Sequence, residues 1–337
     1  MRKIRVGIVG FGSAGKGFHF NDLINRSEYE VVCVQTTNKE RTEYINNYYP
    51  VVKVVTTFDE LLSMDIDLVV IATANNAHFS YTEQALLNNK HVVCEKPFVE
   101  TLEKASYLFD LAKRKGLVLR VFHNRRYDGD FLTIKALINQ NTFTDIFTAS
   151  FRYDRLKEGP FDNWRFKKDV MAGLFYDLGP HVVHHARELF GLPNQVYLEL
   201  FSERTEDNVD DHFELTLYYK DKVCRIGGHT FSRENQPKMM VVSRDKTYLK
   251  YGFDKPDSNY NRSNTGYQNR EPGLLIDNEG TKEVPLYYGK HYMFYDYVYQ
   301  DITNGDAHPE FIDYALDVIN IMEKAIESFE KQQRINL

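Results

Sequence analysis

At 337 residues the chain is long enough for two domains and a large core, and its 42% apolar and 27% charged residues are those of a folded globular protein. A formal net charge of −6 argues against a general nucleic-acid binder, whose surface is usually basic. No apolar run approaches membrane-spanning length, and Met1-Arg2-Lys3 leads into a short run broken by Arg5 and Gly10 rather than a signal-peptide core, so no membrane partner and a cytoplasmic location are expected.

The first third alternates strand and helix signals. Residues 4–9 form an apolar strand that ends in Gly10-Phe11-Gly12-Ser13-Ala14-Gly15, and residues 17–25 follow as a helix. Residues 30–35 read as strand, 39–47 as helix and 51–55 as a short strand. Thr57-Phe58-Asp59-Glu60 has the form of a helix start, with Thr57 as N-cap and Glu60 at the capping-box position. Residues 68–72 are a continuous apolar run, as expected of a parallel strand buried on both faces. Residues 80–88 are helical, 91–94 strand, 102–114 a long helix stopped before Gly116, and 117–122 close the series. This β-α-β-α order predicts an α/β Rossmann domain over residues 1–123, a right-handed doubly wound parallel sheet.

Beyond residue 123 the texture changes. Residues 131–138 and 173–190 are helical, while 147–152, 195–201, 212–219, 222–228, 238–243 and 247–251 alternate apolar and polar positions. That alternation predicts a large, mostly antiparallel sheet with one face exposed or covered by helices. Residues 257–280, rich in Asn, Asp and Gly, read as a long loop, and residues 311–332 as an amphipathic helix. Residues 124–337 are therefore expected to form an α+β second domain. Its uncovered face would carry aromatics, with Phe213, Tyr219 and Tyr248 as candidates, and such a patch predicts a homo-oligomer.

Three groups of residues carry chemistry. A glycine-rich turn between the first strand and the first helix lets backbone amides approach a pyrophosphate, and the helix N-terminus offers unpaired N–H groups to the phosphates. The second strand ends in Thr36-Thr37-Asn38-Lys39, without the acid that usually binds the ribose 2′-hydroxyl of NAD. Hydroxyl and amide side chains followed by Lys39 and Arg41 suit a 2′-phosphate, so NADP is the preferred cofactor, with NAD still admitted. Glu95-Lys96-Pro97 follows an apolar strand and so lies at the carboxyl edge of the sheet, where ligands bind in open α/β sheets. Lys96 can act there as a cation or a proton donor. In Tyr176-Asp177-Leu178-Gly179-Pro180-His181, a helix sets Asp177 and His181 on one face, and a carboxylate beside an imidazole suits general acid-base work. Pro180 is tolerated if it falls in the first turn. His181, His184 and His185 also allow a metal site, but hydride transfer needs none and no Cys or Glu-rich partner motif is near, so no metal is expected. His184 and His185 then read as packing or hydrogen-bonding residues. The three cysteines lack metal-ligand spacing, and Cys33 and Cys94 lie in apolar strands, as buried inert thiols would.

The Gly10–Gly15 turn, Glu95-Lys96-Pro97 and the Asp177-His181 pair, in this order, resemble the Gfo/Idh/MocA oxidoreductase family over essentially the whole chain. Residues 122–133 and 176–181 are most similar to its NADP-dependent scyllo-inositol dehydrogenase branch. The resemblance implies a catalytic set of Lys96, Asp177 and His181. It implies cofactor contacts from Gly10, Gly12, Ser13, Ala14, Gly15, Thr36, Thr37, Asn38, Ala72, Thr73, Asn75, His78, Glu95, Lys96 and Asn124. It also implies substrate contacts from Lys96, Arg125, Tyr153, Arg165, Asp177, His181 and His184. Many relatives carry an acid where this chain has His184. By the same resemblance residues 124–337 bind substrate and form dimers or tetramers. The expected activity is NAD(P)-dependent oxidation of a CH–OH group in a cyclic polyol or sugar. The alternative is a non-catalytic cofactor- or sugar-sensing protein on the same fold.

Overall fold

The computed structural model describes residues 2–159, 167–205, 209–234, 236–252, 268, 270–305 and 308–337. The chain divides into two compact units, one made of Met1–Phe122 with Tyr292–Asp313, the other of His123–His291 with Tyr314–Leu337.

The first unit holds strands β1 (Ile4–Val9), β2 (Tyr29–Gln35), β3 (Lys53–Val55), β4 (Leu68–Ile71), β5 (His91–Cys94) and β6 (Leu119–Val121). All pair in parallel, in the order β3-β2-β1-β4-β5-β6. That is the dinucleotide-fold order, with the switch between β1 and β4. Every residue of β4 is buried, which is why its sequence carries no polar alternation. Helices α2 (Lys39–Tyr48), α3 (Phe58–Ser63), α4 (His78–Leu87) and α5 (Leu102–Arg114) connect the strands. Thr57 caps α3 with Glu60 in a complete capping box, as its sequence predicts. The first helix departs from expectation. Its residues Gly15–Phe20 are wound as a π-helix that passes into a short α-helix, α1 (Asn21–Leu23). Cys33 and Cys94 are buried free thiols, and burial pushes the Cys33 thiol up to about 11.

Helix α8 (Met293–Asn304) belongs to this unit although residues 124–337 read as one domain from sequence. Its anchors are long-range and polar. Arg120 Nε donates to Asp301 Oδ2 at 2.8 Å with both side chains buried. Arg26 Nη1 donates to Asp296 Oδ1 at 2.6 Å, and the Tyr29 hydroxyl donates to the Tyr295 carbonyl at 2.7 Å. No local pattern reports partners 180 to 270 residues away.

The second unit contains α6 (Gly129–Asn139), β7 (Thr148–Asp154), α7 (Leu174–Phe190), β8 (Gln195–Phe201), β9 (His212–Tyr218), β10 (Val223–His229), β11 (Pro237–Val242) and β12 (Thr247–Tyr251). After these come β13 (Gly273–Asp277), β14 (Gly280–Val284), α9 (Glu310–Lys331) and β15 (Ile335–Asn336). Among the described residues the sheet order is β14-β13-β12-β11-β7-β10-β9-β8-β15, antiparallel except for β10 beside β7. Helices α7 and α9 supply Phe175, Val183, Ile321 and Met322 to one core with Phe151, Phe213, Ile226 and Val241 from the sheet.

Three expectations need correction. Of the expected loop 257–280, residues 257–267 and 269 lie outside the described residues, and its end is not loop: β13 and β14 form a hairpin with Asp277 opposite Gly280. Asn278-Glu279-Gly280 lies at its turn, and Leu274-Leu275-Ile276 before it is a strand too short to stand out in a stretch rich in Asn, Asp and Gly. Phe213 and Tyr248 lie fully buried in the core and Tyr219 packs against it, so they do not form an outer patch. The opposite phase of the strands reaches the other face, where Tyr197, Phe201 and Tyr218 keep partial exposure. There Arg152 pairs with Asp154 and Glu214. Pro180 is the seventh residue of α7 rather than in its first turn.

Candidate active site

In the first unit the predicted cofactor residues meet at the carboxyl ends of β1, β2, β4 and β5. Gly10 turns the chain at φ 87°, where a side chain would be strained, and a Cβ there would lie 2.4 Å from the Ala72 carbonyl oxygen. A Cβ on Gly15 would lie 2.1 Å from the Gly10 carbonyl oxygen, so helix and turn can pack only without one. A Cβ on Gly12 would meet no described protein atom within 4 Å. Packing therefore does not require glycine at Gly12, whereas close approach of a pyrophosphate does. Ser13 and Ala14 open the helical stretch at this point. The residues present thus fit a dinucleotide.

Around this turn, the Gly10 amide donates to the Gln35 carbonyl at 3.1 Å, which sets the end of β2 beside it. Thr36 is buried; Thr37, Asn38, Lys39 and Arg41 are exposed. Asn38 caps α2, its Oδ1 accepting from the Arg41 amide at 3.0 Å. Past β4, Ala72 and Thr73 are half-buried and Asn75 is buried. His78 is fully buried, and its Nδ1 donates to the Pro97 carbonyl at 2.8 Å. Burial above all pushes its imidazole below the usual value, in keeping with a neutral donor to that carbonyl. The Glu95 amide donates to the Ile71 carbonyl at 3.0 Å, joining the β4 and β5 ends. Glu95 Oε2 accepts from the Lys96 amide at 3.2 Å, and Lys96 itself is half-buried before a cis bond to Pro97.

In the second unit Asn124 and Arg125 stand in a 3-10 turn, Asn124–Tyr127. His185 Nε2 on α7 bonds the Arg125 carbonyl at 3.1 Å, and its ring stacks on Phe131 at 4.1 Å. The Arg125 guanidinium bonds Asp128 at 3.1 Å. Burial drives the Asp128 carboxyl up, but Arg125, His291 and Lys238 outweigh it and hold the group below the ordinary carboxylate range. Asp177 is half-buried in the first turn of α7, its amide bonded to the Gly173 carbonyl, and His181 follows one turn later and is 8% exposed. The helix start is held from outside: Asp210 Oδ2 accepts from the Phe175 amide at 2.6 Å. His184 is 2% exposed between His123, whose ring centroid is 4.8 Å away, and Tyr314 at 5.7 Å, with Glu188 at 3.4 Å. Burial first, then His123 and Arg126, push its imidazole well below the usual value, so it is neutral at pH 7. Tyr153 lies in the core with Lys238 5.6 Å from its ring centroid. Arg165 lies outside the described residues.

Sequence reasoning missed His19, Tyr295, Asp210 and Glu188, whose roles rest on distant partners. Only the placement of His19 just after the glycine turn offered a signal.

Comparison with known proteins agrees with this fold. Residues 4–123 match the pattern described as oxidoreductase family, NAD-binding Rossmann fold, and residues 131–248 match the GFO/IDH/MocA C-terminal domain. The chain is 31% identical to scyllo-inositol 2-dehydrogenase (NADP(+)) IolW of Bacillus subtilis over 99% of this chain and 96% of that one. It is 28% identical to glucose-6-phosphate 3-dehydrogenase of the same organism over 65% of each. The solved structure of the oxidoreductase yvaA from Bacillus subtilis superposes with a TM-score of 0.91 at 31% identity, covering 100% of this chain and 99% of that one.

Proposed function

The chain belongs to the Gfo/Idh/MocA oxidoreductase family, and on that premise we propose that it is an NADP-preferring dehydrogenase of a cyclic polyol or sugar, with scyllo-inositol the first substrate to test. The observation that carries this reading is Asp177 and His181 one turn apart on α7, in a chain that also keeps Lys96 at the carboxyl end of β5. Bound NADP supplies the hydride acceptor. His181 accepts the proton of the substrate hydroxyl, Asp177 orients the imidazole, and the Lys96 ammonium stabilises negative character on the reacting oxygen. Arg125, held by Asp128, is the proposed hydroxyl-binding cation. The buried free thiols suit a reducing cytoplasm. The test is NADPH formation by the purified protein across inositols, aldoses and sugar acids. Turnover of at least one is expected; none with either nucleotide would refute the proposal.

The preference for NADP rests on the exposed Thr37 and Asn38 with Lys39 and Arg41 next to them. Since Asn38 Oδ1 is used as the cap, its Nδ2 is the donor left for a 2′-phosphate. Fluorescence titration is expected to give tighter NADPH than NADH binding, and the reverse order would sink the preference. Thr37→Asp is expected to shift selectivity toward NAD, because its carboxylate repels a 2′-phosphate.

A homodimer or homotetramer is the proposed assembly, formed through the outer face of the second unit's sheet. Partly exposed Tyr197, Phe201 and Tyr218 support it, in place of Phe213 and Tyr248. Light scattering after size exclusion should report a multiple of the 39.5 kDa chain; a monomer mass at micromolar concentration would exclude it.

A further inference from the structure

We infer that His19 is a positioning residue for Lys96, acting through Glu95; this rests on the role proposed above for Lys96. His19 lies in the π-helical stretch just after the glycine turn and is completely buried. One extra residue in a helical turn rotates the side chains that follow, and such turns are frequent at functional sites. Here His19 bonds through both ring nitrogens: Nε2 lies 3.0 Å from Glu95 Oε1, and Nδ1 lies 2.7 Å from the Tyr295 hydroxyl. A carboxylate oxygen can only accept, so Nε2 carries a hydrogen. The Tyr295 hydroxyl, which can donate or accept, pairs with Nδ1. The other Glu95 oxygen accepts from the Lys96 amide at 3.2 Å. The result is a buried line from α8 through the first helix to the residue after β5, which holds the Glu95 side chain in the one orientation that clamps the Lys96 backbone. Any buried imidazole needs polar partners; what singles out His19 is that its partner Glu95 is itself buried and also accepts from the Lys96 amide.

The test pairs two variants with two readouts. His19→Phe keeps an aromatic ring and removes both bonds; His19→Gln restores a donor at the Nε2 position. Hydrogen exchange at the Lys96 amide is measured by mass spectrometry with fragmentation to single residues, and kcat and KM on the best polyol. In His19→Phe the Lys96 amide is expected to exchange at least tenfold faster, and kcat to fall at least tenfold with KM for the cofactor within threefold. His19→Gln is expected to recover most of both. Unchanged exchange at Lys96 in His19→Phe overturns the inference, whatever the activity. Faster exchange with unchanged kcat upholds the hydrogen-bonded clamp but overturns the inference that it positions Lys96 for the reaction, while the role of Lys96 itself is decided separately by Lys96→Ala. If His19→Phe does not fold, Tyr295→Phe reaches the same line from its other end by removing the hydroxyl partner of Nδ1, and the same outcomes decide.

Discussion

His181→Ala is expected to lower kcat by roughly 10²–10⁴-fold, the usual scale for losing a group that exchanges a proton in the transition state. The imidazole stands in the second turn of α7, a helix whose start is held by Asp210 and whose middle is tied to the 3-10 turn through His185. Truncating one side chain there should leave the helix in place, so the loss falls on chemistry rather than folding. Cofactor affinity should change by less than about threefold, because the proposed phosphate contacts come from the Gly10–Gly15 turn and not from α7. The residual activity should rise with pH, since hydroxide from solvent takes over the missing base. Steady-state kinetics with both nucleotide binding and pH varied would check this. A variant that keeps near-normal kcat at neutral pH removes His181 from the role of base.

Lys96→Ala should be comparably damaging, by roughly 10²–10⁴-fold in kcat. Its backbone is held on both sides: Glu95 accepts from its amide, and His78 bonds the carbonyl of Pro97. A side chain fixed this closely at the root cannot shift to let a longer one work. Lys96→Arg should therefore also fail, because a planar guanidinium fork does not replace a compact ammonium at a crowded position. Kinetics on all three proteins, with nucleotide binding and melting temperature as controls, would decide. If Lys96→Arg retained more than about a tenth of wild-type kcat, an undirected positive charge would suffice and the hydrogen-bonding role would be wrong.

The sequence by itself determined the Rossmann half almost element by element. Its signals are local: a continuous apolar run means a strand buried on both faces, a capping box marks a helix start, and Gly10 and Gly15 sit where no Cβ fits. Period-2 alternation likewise located β8, β9, β11 and β12, because one face of that sheet packs on helices. Lys96, Asp177 and His181 stood out because the three motifs in this order, though unspecific one by one, together resemble one family. The tertiary structure decided what depends on contacts between distant residues. Alternation alone did not say which phase of the strands faces the core, and α7 buries Phe213 while leaving Phe201 on the outer face. Nor did it reveal that α8 joins the first unit through Asp301 and Asp296, since an acid on a helix reads as solvated until its arginine is known. The line from Tyr295 through His19 to Glu95 was hidden for the same reason. A buried polar group is defined by its partners, and those partners are far apart in sequence.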